Sequence, residues 1–210
     1  NTLINLSGYV PTREGYTFTG WYSDAKFTEK VTSVKLTQNT TVYAAWSWNN
    51  PFSDVSGDRW YYGDVEYVYQ NGLMNGTTPN SFNPDGTMTK AMFVTVLYRL
   101  SGNSDSYVNS FSDVPSGEWY ENAAAWAAAN GIAGGVGDGR FSPNGSITRE
   151  QLAVMLYRYA QYMSYDVSVG EDTNILSYND AFGISDYAYS ALQWACGSGI
   201  IGGDGSGNLN

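Results

Sequence analysis

A segment that begins at Phe52 recurs at Phe111, 59 residues further along, and the offset stays constant through the whole copy. The Trp-Tyr pair at Trp60 returns at Trp119, and a third, partial copy begins near Tyr178. Units repeated at such a spacing usually cannot bury their apolar faces alone and pack against their copies. Arrays of this kind bind or scaffold far more often than they catalyse, so the repeat predicts a binding or structural protein.

Composition excludes several functions. Asp and Glu number 20 against 10 Lys and Arg, and the net charge of −10 disfavours nucleic acid and anionic membranes as partners. The chain has no histidine, the commonest general base, and its single Cys196 permits neither an intrachain disulfide nor a zinc cluster. No apolar run approaches membrane-spanning length. We therefore predict no catalytic residue, no metal, no cofactor, no nucleic-acid partner and no membrane insertion.

The first 46 residues show a different residue pattern from the repeats. Aromatic residues alternate with small or polar ones from Tyr16 to Tyr22, which is typical of a strand, and residues 31–36 and 40–46 are also β-like. Ser47 to Pro51 is interpreted as a short polar linker. The sequence thus predicts an α+β, multi-domain chain. Its expected domains are a small β module at 1–47 and three mainly helical repeats at 48–108, 109–175 and 176–210.

Each full repeat predicts two helices. The first runs from about Trp60 to Gln70, and Asn71-Gly72 closes it with a left-handed glycine. Thr89 caps the second helix, and its equivalent Thr148 begins a capping box with Gln151. The second helices carry apolar stripes at helical spacing that are expected to be buried together. These stripes are Phe93, Val96, Leu97 and Leu100 in one copy and Leu152, Met155, Leu156 and Tyr159 in the next.

Two further features of the repeats have expected structural roles. Trp126 and Trp194 lie inside first helices and are expected in the core. The glycine pairs Gly134-Gly135 and Gly202-Gly203 are expected to form turns with positive φ.

The third copy, at 176–210, is expected to be truncated. The chain opens without a methionine and shows no second helix for this copy, which indicates a fragment of a larger protein. Leu192, Trp194 and Ile200 are then expected to lack one wall of their core. We expect the copy either to be mobile or to be completed by another polypeptide.

The repeats resemble the S-layer homology domain. That family shows an FSDV-like start, a Trp in or before the first helix, a Gly-rich loop and an ITRAE-like opening of the second helix. The opening appears here as Met88-Thr89-Lys90-Ala91-Met92 and as Ile147-Thr148-Arg149-Glu150-Gln151. The resemblance covers roughly residues 51–210. It implies a pseudo-threefold helical assembly that anchors proteins to a secondary polysaccharide of the bacterial cell wall, often one that carries a pyruvate ketal.

The first 46 residues resemble the latter part of an internalin-type B repeat, the Listeria-Bacteroides repeat. The segments Gly15 to Tyr22 and Thr41 to Trp46 carry this likeness. It implies a β-grasp-like module of the kind that forms stalks in surface proteins. The leading strand of that family is absent here or only weakly represented by Leu3 to Leu6.

A pyruvylated polymer presents fixed anionic groups, so its site needs a cation, N–H donors and an aromatic wall. Arg149 stands at a helix start, where the dipole favours anions, and its guanidinium can hold a carboxylate with two hydrogen bonds. Lys90 is its equivalent in the first copy. In the family, grooves between neighbouring copies use this Arg, the Trp and the Asp. The resemblance implies that the ligand-binding residues are Arg149, Lys90, Trp60, Trp119, Asp54, Asp113, Thr148 and Thr89.

Structural roles compete with ligand binding at these positions. A cation at a helix start is often only solvated. Asp54 and Asp113 suit the capping of a turn at least as well as a contact with sugar hydroxyls. Trp60 and Trp119 suit core packing and sugar stacking equally.

The sequence therefore predicts non-covalent anchoring of a bacterial surface protein to the cell wall through an anionic, pyruvylated secondary polysaccharide. The expected location is extracellular, at the cell wall or S-layer. The alternative is a structural module that assembles into a surface layer or fibre through contacts with neighbouring copies of itself.

Overall fold

The computed structural model describes residues 2–170 and 172–209. The chain divides into two compact units, Asn1–Asp85 and Gly86–Asn210, and is a mixed α/β structure. The first unit contains strands β1 (Thr2–Asn5), β2 (Tyr16–Tyr22), β3 (Lys30–Val31), β4 (Ser33–Leu36) and β5 (Tyr43–Trp48), followed by helix α1 (Tyr62–Gln70). The second unit contains helices α2 (Lys90–Leu100), α3 (Glu121–Ala129), α4 (Arg149–Tyr162) and α5 (Tyr189–Gly197), with short 3-10 helices at Ile175–Ser177, Ala181–Gly183 and Asp186–Ala188.

The strands form two antiparallel sheets. β2 lies between β3 and β5, and the register of β2 with β5 shifts between Phe18 and Gly20. β1 pairs with β4 from Thr2↔Leu36 to Asn5↔Ser33. The strand predicted from aromatic alternation over Tyr16–Tyr22 is confirmed. Of the two alternatives for Leu3 to Leu6, the structure shows a short strand, β1, whose backbone hydrogen-bond partners lie on β4.

Trp48 corrects the predicted linker. β5 continues to Trp48, which lies opposite Tyr16 in the sheet and is almost fully buried. Its ring lies edge-on or tilted to Phe52, Tyr62 and Tyr69, with centroid separations of 6.3, 5.4 and 6.0 Å. The segment interpreted as a polar linker therefore contributes the central ring of the aromatic core in the first unit.

The helix ends follow the sequence signals closely. The Thr89 and Thr148 hydroxyls accept hydrogen bonds from the Met92 and Gln151 amides, and the predicted capping box of Thr148 with Gln151 is complete. Gly72 takes the expected left-handed conformation after α1, with φ of 66°. α1 begins at Tyr62 rather than near Trp60. Among the described residues, no helix has the length and apolar character needed to cross a membrane.

One of the two buried clusters of the second unit is formed mainly by residues of α2, α3 and α4. Trp126 is fully buried, as predicted, and rings of Tyr98, Tyr159 and Tyr162 contact it. The predicted stripes meet in this core through Phe93, Leu97, Met155 and Tyr159, while Leu152 and Leu156 are partly buried against it.

The predicted burial of Val96 and Leu100 on α2 is wrong. Leu100 is 49% exposed and Val96 is only partly buried, whereas Val94 is fully buried. α2 buries Ala91, Val94 and Leu97 against α3 and the loop of the next copy, and Leu100 ends the helix beyond that contact.

The third copy is packed through α5. Leu192 and Trp194 are buried in a second cluster together with α4 residues such as Val154, so the expectation that these two lack a wall is wrong. α4 supplies that wall because Leu152 and Leu156 pack against both clusters. Ile200 is 49% exposed, while its counterpart Ile132 is fully buried. Completion of this copy by another polypeptide stays a prediction.

The predicted positive φ at the glycine pairs is wrong, and close packing explains the glycines instead. Neither Gly134-Gly135 nor Gly202-Gly203 has positive φ. A Cβ on Gly135 would lie 2.7 Å from the Arg140 carbonyl oxygen and 3.2 Å from the Phe111 ring. A Cβ on Gly203 would lie 2.7 Å from the Tyr178 ring in the same way. The first aromatic residue of a copy thus requires a glycine in the loop that crosses it.

Candidate ligand grooves between the repeats

The cation that begins each second helix reaches the glycine loop of the next copy. Lys90 Nζ donates hydrogen bonds to the Gly134 and Phe141 carbonyl oxygens at 2.6 and 2.9 Å. Arg149 Nη2 donates to the Gly202 carbonyl oxygen at 2.6 Å. Gly134 and Gly202 occupy equivalent loop positions. The two contacts therefore repeat one geometry, in which a cation from one copy stands at the loop of its successor.

Lys90 and Arg149 differ in their exposure and in the number of N–H donors that a ligand could still use. The Lys90 ammonium is half-buried 4.2 Å from the centroid of the Phe141 ring, and its burial lowers the pKa of Lys90. Arg149 is exposed and, among the described residues, forms one hydrogen bond through Nη2. Because guanidinium carries five N–H donors, Arg149 retains donors for a carboxylate. The chemistry of an anion site thus favours Arg149 over Lys90.

The start of α2 is occupied by the second copy. The Lys90 amide donates to the Gly145 carbonyl and the Ala91 amide donates to the Pro143 carbonyl, both at 2.9 Å. Thr89 also forms an isolated β-bridge with Ser146. An anion at this helix start would find those backbone donors already used.

Asp54 and Asp113 each bind the loop between the two helices of their own repeat. Asp54 accepts hydrogen bonds from the Phe82 and Asn83 amides at 2.9 and 2.8 Å, and from the Ser81 hydroxyl at 2.7 Å. In the next copy, Asp113 accepts hydrogen bonds from the two equivalent amides, those of residues 141 and 142, at 2.7 and 2.8 Å. Both carboxylates therefore fasten a loop, which is the structural role that competed with a sugar contact.

These hydrogen bonds lower the pKa of both carboxyl groups. The Phe82 amide, with help from the Ser81 hydroxyl, brings the pKa of Asp54 down to about 2. For Asp113, burial pushes the pKa up, but the Phe141 and Ser142 amides outweigh it and the pKa falls below its usual value. Both groups are thus strongly held as carboxylates.

Trp60 and Trp119 present their rings to solvent. Their exposed fractions are 87% and 58%, and each lies edge-on to the tyrosine that follows it, Tyr61 or Tyr120. Of the two roles left open by the sequence, core packing does not fit such exposure. An exposed indole face suits stacking on a sugar ring.

The third copy contributes residues that the sequence analysis did not single out. A groove of about 300 Å³ runs beside the start of α4 and is lined in part by Thr148, Arg149, Glu150, Asp180 and Ser185. Asp180 is the counterpart of Asp113, since its carboxylate accepts a hydrogen bond from the Leu209 amide. The signal for it was the Tyr178-Asn179-Asp180 segment, which replaces Phe-Ser-Asp at the start of the copy.

Tyr187 stands in the third copy where Trp119 stands in the second, and it is also exposed. Its hydroxyl lies 3.4 Å from a Glu150 carboxylate oxygen, and Glu150 also accepts hydrogen bonds from the Ser185 amide and hydroxyl at 2.8 and 2.9 Å. Glu150 therefore fixes the wall of this groove that faces the third copy.

The structure brings only some of the predicted site residues together. Thr148 and Arg149 line one groove. Lys90 and Asp113 meet at Phe141, whose carbonyl binds the lysine and whose amide binds the aspartate. Thr89 caps α2, while Asp54 and Trp60 belong to the first unit. Among residues 2–170 and 172–209, no group of three His, Cys, Asp or Glu side chains is arranged to hold a metal ion.

Comparison with known proteins identifies both parts of the chain. The S-layer homology domain profile matches residues 51–92, 110–153 and 177–210, which together exceed half of the chain. The Listeria-Bacteroides repeat domain matches residues 1–45.

Curated relatives include both enzymes and surface-layer proteins. The chain is 32% identical to an amylopullulanase of Thermoanaerobacterium thermosulfurigenes over 93% of the chain and 10% of that protein. It is 35% identical to an endoglucanase of a Bacillus species over 69% of the chain and 15% of that protein. It is 30% identical to the surface-layer 125 kDa protein of Lysinibacillus sphaericus over 77% of the chain and 13% of that protein. The chain therefore spans only a small part of the length of these relatives.

These matches fix the setting in which the chain acts. They place it outside the cell, at the cell wall or surface layer of a bacterium, in keeping with the sequence prediction. With three matched copies, the chain belongs to the S-layer homology domain family, whose modules anchor proteins to the cell wall, and it carries a Listeria-Bacteroides repeat before them.

Proposed function

We propose that this chain anchors its parent protein non-covalently by holding an anionic, pyruvate-bearing secondary polysaccharide in the grooves between its repeats. The observation that carries the proposal is the groove at the start of α4, where Arg149 is exposed and its guanidinium is oriented by the Gly202 carbonyl. The chain contributes anchoring and not catalysis, and the enzyme names of some relatives belong to proteins many times its length.

Arg149 is the proposed anion-binding residue of this groove. A pyruvate ketal presents a planar carboxylate, which a guanidinium grips with two parallel hydrogen bonds. Thr148 holds the helix start in place, and the exposed ring of Tyr187 provides a sugar-stacking face. Asp180 and Ser185 line the same groove, where the Asp180 carboxylate binds the Leu209 amide and Ser185 binds Glu150.

The other predicted site residues are proposed to have supporting roles in polymer binding. Trp119 and Trp60 provide exposed stacking faces in their own copies. Asp113 and Asp54 shape the loops beside the sugar path, and Thr89 holds the start of α2. Lys90 contributes mainly positive charge, since its ammonium already binds two carbonyls.

We propose for this chain the domain arrangement that the family resemblance implies. The three copies, at 48–108, 109–175 and 176–210, are proposed to form a pseudo-threefold assembly, with a β-grasp-like module at 1–47. Two related contacts support this arrangement, because the Lys90 and Arg149 cations each reach the glycine loop of the following copy.

Titration with a soluble pyruvylated wall polymer, and with the same polymer after removal of pyruvate, tests the proposal. Arg149→Ala is expected to weaken binding by roughly 2–4 kcal/mol, because the ligand carboxylate loses its partner. Arg149→Lys should recover part of this loss. Arg158→Ala removes an exposed arginine from the outer part of α4 and serves as the matched control. Equal affinity of the folded Arg149→Ala variant and wild type would refute the proposal.

A structural role in assembly is the second candidate. Phe182 is 91% exposed and Leu176 is 53% exposed on the third copy, and such apolar residues favour contacts between protein chains. Pull-down experiments with purified cell-wall sacculi distinguish the two functions. Pull-down that disappears once the polymer is stripped supports anchoring, whereas ordered assembly without any wall supports the structural role.

A further inference from the structure

A second cleft lies in the first unit, away from the residues assigned to anion binding. It measures about 580 Å³ and separates the start of β2 from the exposed side of α1. Arg13, Glu14 and Tyr16 form one wall, and Glu66, Tyr67 and Gln70 are on the other. The two walls come from the two matched families, since Arg13 lies within the Listeria-Bacteroides repeat and Tyr67 within the first S-layer homology repeat.

The floor of the cleft is held rigidly. The Tyr16 hydroxyl donates a hydrogen bond to a Glu66 carboxylate oxygen at 2.6 Å, which ties β2 to α1. The Arg13 guanidinium lies 3.7 Å from the centroid of the Tyr16 ring and is thereby stacked in one orientation. Gly15 has a φ of 77°, and a Cβ at this position would lie 2.7 Å from the side-chain amide nitrogen of Gln70. The glycine therefore allows the Gln70 amide to pack closely against the backbone. The Tyr16, Glu66 and Arg13 side chains of the cleft therefore hold one another in place.

The chemistry of the walls points to an uncharged sugar. Tyr67 is 61% exposed and offers an aromatic face, while Glu14 and the Gln70 amide offer planar acceptors and donors beside it. Glu14 and Glu66 offset the positive charge of Arg13, whose guanidinium is already stacked on the Tyr16 ring. We infer that this cleft is a second saccharide-binding site, which takes neutral hexose or N-acetylhexosamine units by stacking on Tyr67.

The test uses the full chain and two neutral probes, maltotetraose and an N-acetylglucosamine tetramer. Amide chemical shifts recorded during titration should change at residues 13–16 and 63–71. Tyr67→Ala should lower the affinity about tenfold, through loss of the stacking face. Tyr67→Phe should retain most of the affinity, because it keeps the ring.

Controls separate this site from the proposed anion site. Tyr9 is as exposed as Tyr67, at 61%, but does not line the cleft, so Tyr9→Ala should leave neutral-sugar binding unchanged. Arg149→Ala should also leave it unchanged. Absence of shifts in the two segments with both probes would overturn the inference, as would equal losses in the Tyr67 and Tyr9 variants. Binding limited to the de-N-acetylated, cationic glucosamine tetramer would overturn it as well, because that result would reflect charge attraction to Glu14 and Glu66.

Discussion

At the scale of single residues, adjacent glycines in one loop have different physical requirements. Gly135 sits where a Cβ would meet backbone and an aromatic ring, whereas a Cβ on Gly134 would meet open space. Gly134 instead supplies the carbonyl that binds Lys90. A carbonyl is present in any residue, so only Gly135 should be intolerant of a side chain.

Gly135→Ala is therefore expected to destabilise the second unit by about 1–3 kcal/mol, the usual cost of overpacking. Gly134→Ala is the matched control and should be neutral or slightly stabilising, because alanine reduces the freedom of the unfolded chain. Urea unfolding followed by tryptophan fluorescence measures both. Similar losses in the two variants would show that the loop is not constrained by the contact with Phe111 and the Arg140 carbonyl.

The depressed pKa of Asp54 predicts a loss of stability in acid. Its pKa is about 2 in the folded chain against an ordinary value of 3.8, so the unfolded state binds the proton more readily. The stabilising effect is complete above the ordinary value and is lost as the pH falls toward 2. Thermal unfolding should therefore show a melting temperature that drops between about pH 4 and pH 2.

Asp54→Asn should lower the melting temperature at neutral pH and flatten its fall in acid, because the titrating group is gone. Asp85→Asn removes the same charge from an exposed position of the first unit and serves as the control. A profile for Asp54→Asn as steep as that of wild type would assign the acid sensitivity to other carboxylates.

At the scale of helices, burial on α2 separates two leucines that the sequence pattern treats alike. Leu97 is 1% exposed and packs in the core with Trp126, whereas Leu100 ends the helix near the surface. Leu97→Ala is expected to cost about 2–5 kcal/mol, because it leaves a cavity that the core cannot close. Leu100→Ala should cost much less. Denaturant unfolding of both variants measures the difference, and equal costs would contradict the packing of α2.

Equivalent helices also differ in electrostatic setting. Lys90 and Arg149 begin α2 and α4 at matching positions, yet the ammonium is half-buried against Phe141 and the guanidinium is exposed. A repeated sequence motif therefore gives related geometry but leaves the two cations with different numbers of hydrogen bonds already made. The surrounding loop decides how many donors remain.

At the scale of the whole chain, Trp48 joins the β module to the first repeat within one core. Trp48→Ala is expected to destabilise the first unit by about 3–5 kcal/mol, since the ring contacts three other aromatic residues. Amide hydrogen exchange should lose protection across residues 2–85 and retain it in residues 86–209. Loss confined to residues 2–46 would instead indicate that the β module unfolds independently of α1.

Local residue patterns determined much of this protein. The number and order of the repeats, the caps at Thr89 and Thr148, the left-handed Gly72, the strand at Tyr16–Tyr22 and the family itself were all predictable from the sequence. The caps, the glycine and the strand depend on residues close to one another along the chain, and the repeats and the family depend on spacings that recur along it. Spacing therefore carries this information.

Only the tertiary structure decided which residues are buried and which are exposed among those that the sequence pattern treats alike. It placed Trp48 in a core, exposed Leu100, surrounded the Lys90 ammonium with carbonyls and exposed the guanidinium of Arg149. It also brought Tyr16 and Glu66, 50 residues apart, to the floor of one cleft. Burial and electrostatics depend on neighbours that are distant in sequence, and periodicity within one segment does not specify them.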